Sequence, residues 1–194
     1  AVRGDVEVEL PELFTGKGIK RISDLAVAQL KKDLIDTDGM SDMDWIRRGA
    51  GANARNLRSF VLSEKDLWLS FDPYQVAAYA AGPQEVRIPL APIKGELRAD
   101  PRAPASSFDC AKAKSEVEQA ICSSRDLARL DRHVAEAYAE KLSWADDDAG
   151  RSAIRKGQRA WLATRDSVCL RAGQPLIACL SDSYQRRLRA LEGG

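Results

Sequence analysis

Four cysteines constrain the fold of this 194-residue chain more than any other feature. Cys110, Cys122, Cys169 and Cys179 all lie after residue 109. An even number of cysteines in one segment predicts two disulfides, with buried free thiols as the alternative. Three pairings are open, and we favour the nearest-neighbour one, Cys110 with Cys122 and Cys169 with Cys179, because it closes the shortest loops. Disulfides persist in oxidising compartments, so we expect a periplasmic or extracellular protein.

Metal binding and catalysis fit the same cysteines less well. Zinc sites usually carry short Cys-x-x-Cys hooks, and these spacings are long. A catalytic cysteine needs a histidine base, but the single histidine, His133, lies in a helical pattern. The sequence also lacks a Gly-x-Ser-x-Gly motif and a phosphate loop. We therefore expect no catalytic residue, metal or cofactor, and a protein that is not an enzyme. A weak hydrolase with two aspartates is the remaining enzymatic alternative.

Charge and hydropathy narrow the range of partners. A formal net charge of +1 gives no overall field that would attract nucleic acid or an anionic membrane. No apolar run approaches the roughly 20 residues that a membrane-spanning helix needs, so we expect no membrane insertion of this segment. A targeting segment or a membrane anchor would lie outside this sequence.

A proline-containing segment, RADPRAPASS at 98–107, is predicted to be a linker between domains 1–97 and 108–194. Before it, apolar patterns predict a helix at 19–35 and strands at 6–10, 60–62, 67–71 and 85–90. After it, the apolar period is wholly helical. The predicted fold class is an α+β N-terminal domain followed by an all-α, disulfide-stapled helical domain.

Helical spacing also predicts which side chains face the cores. The helix at 19–35 is expected to bury Ile19, Ile22, Leu25, Ala26, Leu30 and Leu34. Three aspartates at 146–148 are expected to begin a later helix, because a carboxylate there caps free backbone N–H groups. Gln158, Trp161 and Arg165 share one helical face, and Tyr184 and Arg187 repeat the aromatic-plus-arginine spacing. We expect Trp161 in the core, with Arg165 stacked on it or paired with an acid.

The segment SFDPYQVAAYAAGPQEV is the candidate binding loop. Its prolines fix the backbone, its glycine permits a positive φ, and its tyrosines are rigid rings of the kind found at binding hot spots. The alternative is a structural turn whose tyrosines seal the domain core. The predicted contact residues are Pro73, Tyr74, Tyr79, Gly82, Pro83 and Gln84.

The second half of the chain resembles the LprI-type lysozyme-inhibitor domain of bacterial envelope proteins. The resemblance covers residues 108–191. It departs at Lys114 and Ser115, where the family often has threonine before Val-Glu. The matching residues are Phe108-Asp109-Cys110, Val117-Glu118, Ile121-Cys122, Leu127-Ala128, Leu130-Asp131, Tyr138, Gln158, Trp161, Arg165, Cys169, Cys179, Tyr184 and Arg187.

The first half resembles the extracytoplasmic domain of RsiV-type anti-sigma factors, which is also appended to some peptidoglycan deacetylases. The matching stretches are residues 71–82 (FDPYQVAAYAAG) and 85–89 (EVRIP). Ala78 stands where family members often have proline before the second tyrosine.

Both resemblances imply lysozyme recognition, since RsiV itself senses lysozyme by binding it. We expect a two-domain bacterial envelope protein that binds and inhibits lysozyme, protecting peptidoglycan, by placing a rigid loop in the active-site cleft. The alternative is a non-inhibitory module that recognises peptidoglycan or another envelope protein. Because secreted animal lysozymes are cationic, aspartates at 33–44, with Asp36 and Asp38 as candidates, would steer such a partner. A solvated acidic loop is the alternative for that segment.

Overall fold

The computed structural model describes residues 2–3, 6–37, 39–171 and 173–193. The chain separates into two compact units, Ala1–Pro101 and Arg102–Gly194. The first unit combines helices with small antiparallel sheets, and the described residues of the second contain helices alone. This confirms the predicted fold class.

The first unit begins with a two-stranded ribbon and a run of helices, followed by a three-stranded antiparallel sheet in the order β3-β4-β5. In this sheet Leu69 lies opposite both Phe60 and Val86. The strands predicted at 60–62, 67–71 and 85–90 are confirmed; the first two pair as an antiparallel hairpin, and the third ends at Pro89. The elements are β1 (Val2–Arg3), β2 (Val6–Glu7), α1 (Leu10–Leu13), α2 (Gly16–Lys31), a π-helical turn (Lys32–Thr37), α3 (Met43–Gly49), β3 (Phe60–Leu62), β4 (Asp66–Phe71) and β5 (Gln84–Pro89).

The strand predicted at 6–10 is too long. Strand β2 ends at Glu7, and Leu10 already begins helix α1. Pro11 lies in the first turn of that helix, where its fixed φ is favourable and its missing N–H costs nothing. The backbone N–H of Glu9 donates to Oε2 of Glu12 at 3.0 Å, which closes the turn. The preference of Pro11 for the first turn of a helix, together with the Glu9–Glu12 hydrogen bond, therefore outweighs the alternating apolar pattern.

The core of the first unit lies between α2 and the inner face of the sheet. Strand β4 buries Leu67, Leu69 and Phe71, which alternate with outward-facing residues as a half-buried strand requires. The predicted face of α2 is buried with one exception: Leu25 is 36% exposed. Successive helical residues turn by about 100°, so Leu25 lies that far from its neighbour Ala26 and falls outside the apolar stripe.

The second unit consists of four α-helices and a short 3₁₀ turn at Cys110–Lys112. The predicted cap is confirmed, since Oδ1 of Asp147 accepts from the backbone N–H of Gly150 at 2.7 Å. Among the described residues, no helix is long and apolar enough to cross a membrane. The helices are α4 (Glu116–Ser123), α5 (Arg125–Ser143), α6 (Asp148–Cys169) and α7 (Leu176–Glu192).

Two disulfides fasten the ends of these helices. One joins Cys110 of the 3₁₀ turn to Cys122 of α4, and the other joins Cys169 at the end of α6 to Cys179 in α7. Both predicted pairings are confirmed. Each closes a short loop, with sequence separations of 12 and 10 residues. Such loops restrict the unfolded chain and stabilise the unit by about 2–4 kcal/mol each.

The predicted linker at 98–107 spans the division between the two units. Its later residues contact helix α5 of the second unit. The carbonyl of buried Ala105 accepts from Nη1 of Arg132 at 2.5 Å. The N–H of Ser107 donates to Oδ2 of Asp131 at 2.8 Å. The domain boundary itself remains a prediction.

Candidate functional site

The loop between β4 and β5 presents two tyrosines to solvent. Tyr74 and Tyr79 are 64% and 65% exposed, and their ring centroids lie 5.4 Å apart. This contradicts the alternative in which the tyrosines seal the domain core. The neighbouring Val76 and Ala77 are the buried anchors of the loop instead. The two rings therefore form an exposed aromatic pair on a segment that is fixed to the core.

The backbone of the loop takes two left-handed conformations. Gly82 has a φ of 67°, which a glycine adopts without strain. Tyr74 has a φ of 68° and is the one non-glycine among the described residues with a positive φ. Such a conformation costs on the order of 1–3 kcal/mol and persists where neighbouring contacts enforce it. One such contact is the indole Nε1 of Trp45, which donates to the carbonyl of Tyr74 at 3.0 Å.

Gln75 fastens the loop to helix α3. Its Nε2 donates to the carbonyls of Gly49 and Asn56 at 2.8 and 2.9 Å. Its Oε1 accepts from the N–H of Asp72 at 3.1 Å. A Cβ on Gly49 would lie 1.8 Å from the Gln75 carbonyl oxygen, so only glycine permits this approach. Hydrogen bonds therefore hold the loop on both sides of Tyr74, at Asp72 and at Gln75.

Met40, which the sequence did not single out, is joined through its backbone to Ala78, the residue before Tyr79. The N–H of Met40 donates to the carbonyl of Leu34 at 2.8 Å, across the π-helical turn. The carbonyl of Met40 accepts from the N–H of Ala78 at 3.3 Å, and the side chain of Met40 is 40% exposed. We call Met40, Tyr74 and Tyr79 the tyrosine surface. The signal in the sequence was an apolar side chain between Gly39 and several aspartates.

The remaining loop candidates differ in accessibility. Pro83 is exposed, whereas Pro73 and Gln84 are half-buried. Gln84 begins β5 opposite Phe71, and its Nε2 donates to the Ala81 carbonyl at 2.7 Å. The side chain of Gln84 is thus already engaged in a hydrogen bond within the loop.

The acidic segment carries less free charge than its sequence suggests. The carboxylate of Asp36 lies 2.9 Å from the ammonium group of Lys31. Asp42 caps helix α3 by accepting from the N–H of Trp45 at 2.8 Å. Asp38 lies outside the described residues. The local negative field is therefore partly cancelled, and a steering role for Asp36 and Asp38 remains a prediction.

In the second unit, a buried hydrogen-bond network joins three helices. The hydroxyl of Tyr184 donates to Oδ1 of Asp131 at 2.7 Å and accepts from Nη1 of Arg165 at 2.5 Å. Nε of Arg165 also donates to Asp166 at 2.7 Å. Burial, and then the nearby negative charge of Asp131, raise the pKa of Tyr184 far above its usual value. Tyr184 therefore stays protonated and neutral.

The sequence singled out five residues in this half, and in the structure they contact one another: Gln158, Trp161, Arg165, Tyr184 and Arg187. The guanidinium groups of Arg165 and Arg187 lie 5.3 and 5.7 Å from the Trp161 ring. The Tyr184 ring meets Trp161 edge-on, with centroids 5.2 Å apart. Arg187 donates to Oε1 of Gln158 through Nε at 3.0 Å and Nη2 at 2.8 Å. Arg165 is both stacked on Trp161 and paired with an acid, so both expectations for it are confirmed.

The described residues contain no group of three or more His, Cys, Asp or Glu side chains that could hold a metal ion. The first unit presents an exposed aromatic surface, and the second is a helical unit with two disulfides. Extracytoplasmic proteins are the usual carriers of such disulfides.

Comparison with known proteins assigns each unit separately. Residues 4–91 match the family described as a protein of unknown function, DUF3298, which is found in RsiV-like proteins. Residues 110–191 match the family described as lysozyme inhibitor LprI. No solved structure matches the chain.

Relatives include the lipoprotein LprI of Mycobacterium bovis and that of Mycobacterium tuberculosis. Each is 32% identical over 82 residues, which cover 42% of this chain. The chain spans 39% of the length of these curated relatives. The helical region at 110–191 is therefore similar to the family described as lysozyme inhibitor LprI, and the region at 4–91 that precedes it is similar to the DUF3298 family.

Proposed function

We propose that this chain is a bacterial envelope protein that binds lysozyme and inhibits it by covering the active-site cleft, thereby protecting peptidoglycan. The match of residues 110–191 to the lysozyme inhibitor LprI family carries the choice of partner. The two disulfides support an oxidising compartment such as the periplasm. The tyrosine surface supports the choice of contact region, because exposed aromatic rings on a rigid loop are typical of binding hot spots.

The proposed mechanism is steric. Lysozymes cleave glycosidic bonds with a pair of carboxyl groups in a cleft. A loop inserted there would exclude the sugar, and the hydroxyls of Tyr74 and Tyr79 would donate hydrogen bonds to a carboxylate. Asp36 and Asp38 would meet arginines at the rim of the cleft. The bonds of Gln75 and Trp45 fix the loop before binding, so little conformational entropy is lost on association.

The direct test measures hydrolysis of a soluble oligosaccharide by several lysozyme classes with increasing amounts of the full chain. Steric occlusion predicts competitive inhibition: KM rises while kcat stays constant. Binding without inhibition would instead support a non-inhibitory interaction module. If neither binding nor inhibition occurs at micromolar concentration, the lysozyme proposal is wrong. A pull-down with insoluble peptidoglycan then tests the other partner.

Replacing Tyr79 with alanine tests the contact surface. Truncation of a hot-spot aromatic costs on the order of 2–4 kcal/mol, or about thirty- to a thousand-fold in affinity. Because Tyr79 is 65% exposed, the melting temperature should change little. Trp144→Ala is the matched control, since that side chain is 58% exposed on the other unit and lies outside the proposed contact. Inhibition that survives Tyr79→Ala unchanged would move the contact away from the tyrosine surface.

A further inference from the structure

Helices α6 and α7 line a cavity, open to solvent on one side, that the proposed function does not use. Its volume is about 320 Å³, close to the lower end of the range for small-molecule sites. The disulfide Cys169–Cys179 borders it, and Val168 and Ala190 contribute apolar wall. The disulfide ties the two helices together at this place, so it restrains the walls of the cavity relative to one another.

The polar lining of this cavity is cationic. Arg165, Arg186 and Arg187 line it, and its lining contains no aspartate or glutamate. Arg165 is neutralised by Asp166, whose Oδ1 lies 2.7 Å from Nη2. Neither Arg186 nor Arg187 has a carboxylate partner among the described residues. The cavity therefore carries two positive charges that no carboxylate of the described residues neutralises.

Arg187 is fixed in place without being neutralised. Its Nε and Nη2 donate to the uncharged amide oxygen of Gln158, and its guanidinium lies over the Trp161 ring. Nη1 has no hydrogen bond within the described part of the chain. Burial lowers the pKa of Arg187, because the charged form has lost water without gaining an anion. A bound anion would relieve that cost.

We propose that this cavity is a binding site for a carboxylate carried on a short aliphatic group. A guanidinium binds a planar carboxylate through two parallel N–H bonds, and Arg186 is positioned on the same lining to add a second charge. The hydroxyls of Thr164 and Ser183 supply neutral donors. The apolar walls would contact the aliphatic group that carries the carboxylate. A bare phosphate ion has no such group and would leave these walls without a partner. A chain-terminal carboxylate and an acidic side chain both present this chemistry.

The site is tested on the full chain by NMR titration. Because no lysozyme is present, a negative result would refute the carboxylate site without bearing on the proposed lysozyme inhibition. N-acetylalanine represents a chain end, and the α-amide of N-acetylaspartate represents an acidic side chain. We expect saturable shifts of backbone amides at 179–190 with a Kd in the millimolar range for one of them. The tighter ligand identifies the source. The methyl ester of N-acetylalanine should give no saturable shift.

Variants establish whether the arginines carry the binding. Arg186→Gln and Arg187→Gln should each weaken binding about tenfold, since each removes one charge-assisted contact. Arg189→Gln is the matched control: it makes the same charge change on α7 but outside the cavity lining, and binding should stay within about twofold. Arg186 is exposed, so its variant reports binding even if Arg187→Gln fails to fold.

Three results would overturn the proposal. They are the absence of saturable shifts with both carboxylates, equal binding of the methyl ester or of inorganic phosphate, and equal weakening by Arg189→Gln.

Discussion

Replacing Tyr184 with phenylalanine removes a single oxygen from the centre of the helical unit. The ring remains, so its edge contact with Trp161 is kept and no large cavity opens. What is lost are two hydrogen bonds, one donated to Asp131 and one accepted from Arg165. Both partners are buried and charged. The substitution therefore isolates the energy of one hydroxyl between two ions.

The expected loss of stability depends on the hydrogen bonds and ion pairs that Asp131 and Arg165 keep in the variant. A hydrogen bond to a charged group contributes about 1.5–3 kcal/mol net. Asp131 keeps its bond from the N–H of Ser107, and Arg165 keeps its pair with Asp166, so neither ion is left bare. We therefore expect a loss of about 2–3 kcal/mol rather than the full sum of two such bonds. For a unit of this size each kcal/mol lowers Tm by about 4–8 °C, so Tm should fall by roughly 10–20 °C.

The assay is urea unfolding followed by far-UV circular dichroism, which reports chiefly on the helices. Tyr138→Phe is the matched control, because Tyr138 packs partly buried against the same core and its hydroxyl has no hydrogen bond to a described residue. That variant should lose less than about 0.5 kcal/mol, as is usual away from a buried network. A similar loss for both variants, or no loss for Tyr184→Phe, would refute the reasoning.

The same network predicts a pH dependence. The folded pKa of Tyr184 is raised, so the folded state favours the protonated hydroxyl. Its contribution is complete below the pKa of an unfolded tyrosine, about 10, and is lost as pH rises through the folded value. The difference between wild type and Tyr184→Phe should therefore be constant from neutral to mildly alkaline pH.

Three further predictions concern the two disulfides, the domain boundary at 98–107 and the acidic segment at 33–44. Removing either disulfide should destabilise the helical unit by about 2–5 kcal/mol in urea unfolding, and four alkylatable thiols in exported protein would contradict the pairing. Limited trypsin digestion should cut first near Arg98 or Arg102, and a 104–194 fragment should stay helical by circular dichroism; an unfolded fragment would mean that the two halves share one core. Asp36→Asn with Asp38→Asn should slow lysozyme association at low salt and leave dissociation unchanged in surface plasmon resonance, whereas a purely dissociative effect would exclude steering.

Several features of this protein were predictable from the sequence because they depend on nearby residues. The disulfide pairs are 12 and 10 residues apart, so short-loop closure favoured the observed pairing. The helices of the second unit follow from apolar spacing and from caps such as Asp147. The β3–β4 hairpin follows from two apolar runs around a polar turn. The strand predicted at 6–10 is wrong beyond Glu7 for an equally local reason, since Pro11 favours the first turn of a helix that begins at Leu10.

Which of these elements pack together, and which side chains they leave exposed, depends on contacts between residues far apart in the sequence. Asp131 and Tyr184 are 53 residues apart, and no local pattern pairs them. Spacing put Trp161 and Arg165 on one face of a helix, but packing of α6 on α7 brought Arg187 to the same ring and left its charge uncompensated. Likewise, the sequence allowed Tyr79 to be core or contact, and its exposure depends on Val76 and Ala77 filling the core instead. Periodicity encodes which side of an element is apolar; which surfaces then cover one another depends on the packing of the whole unit.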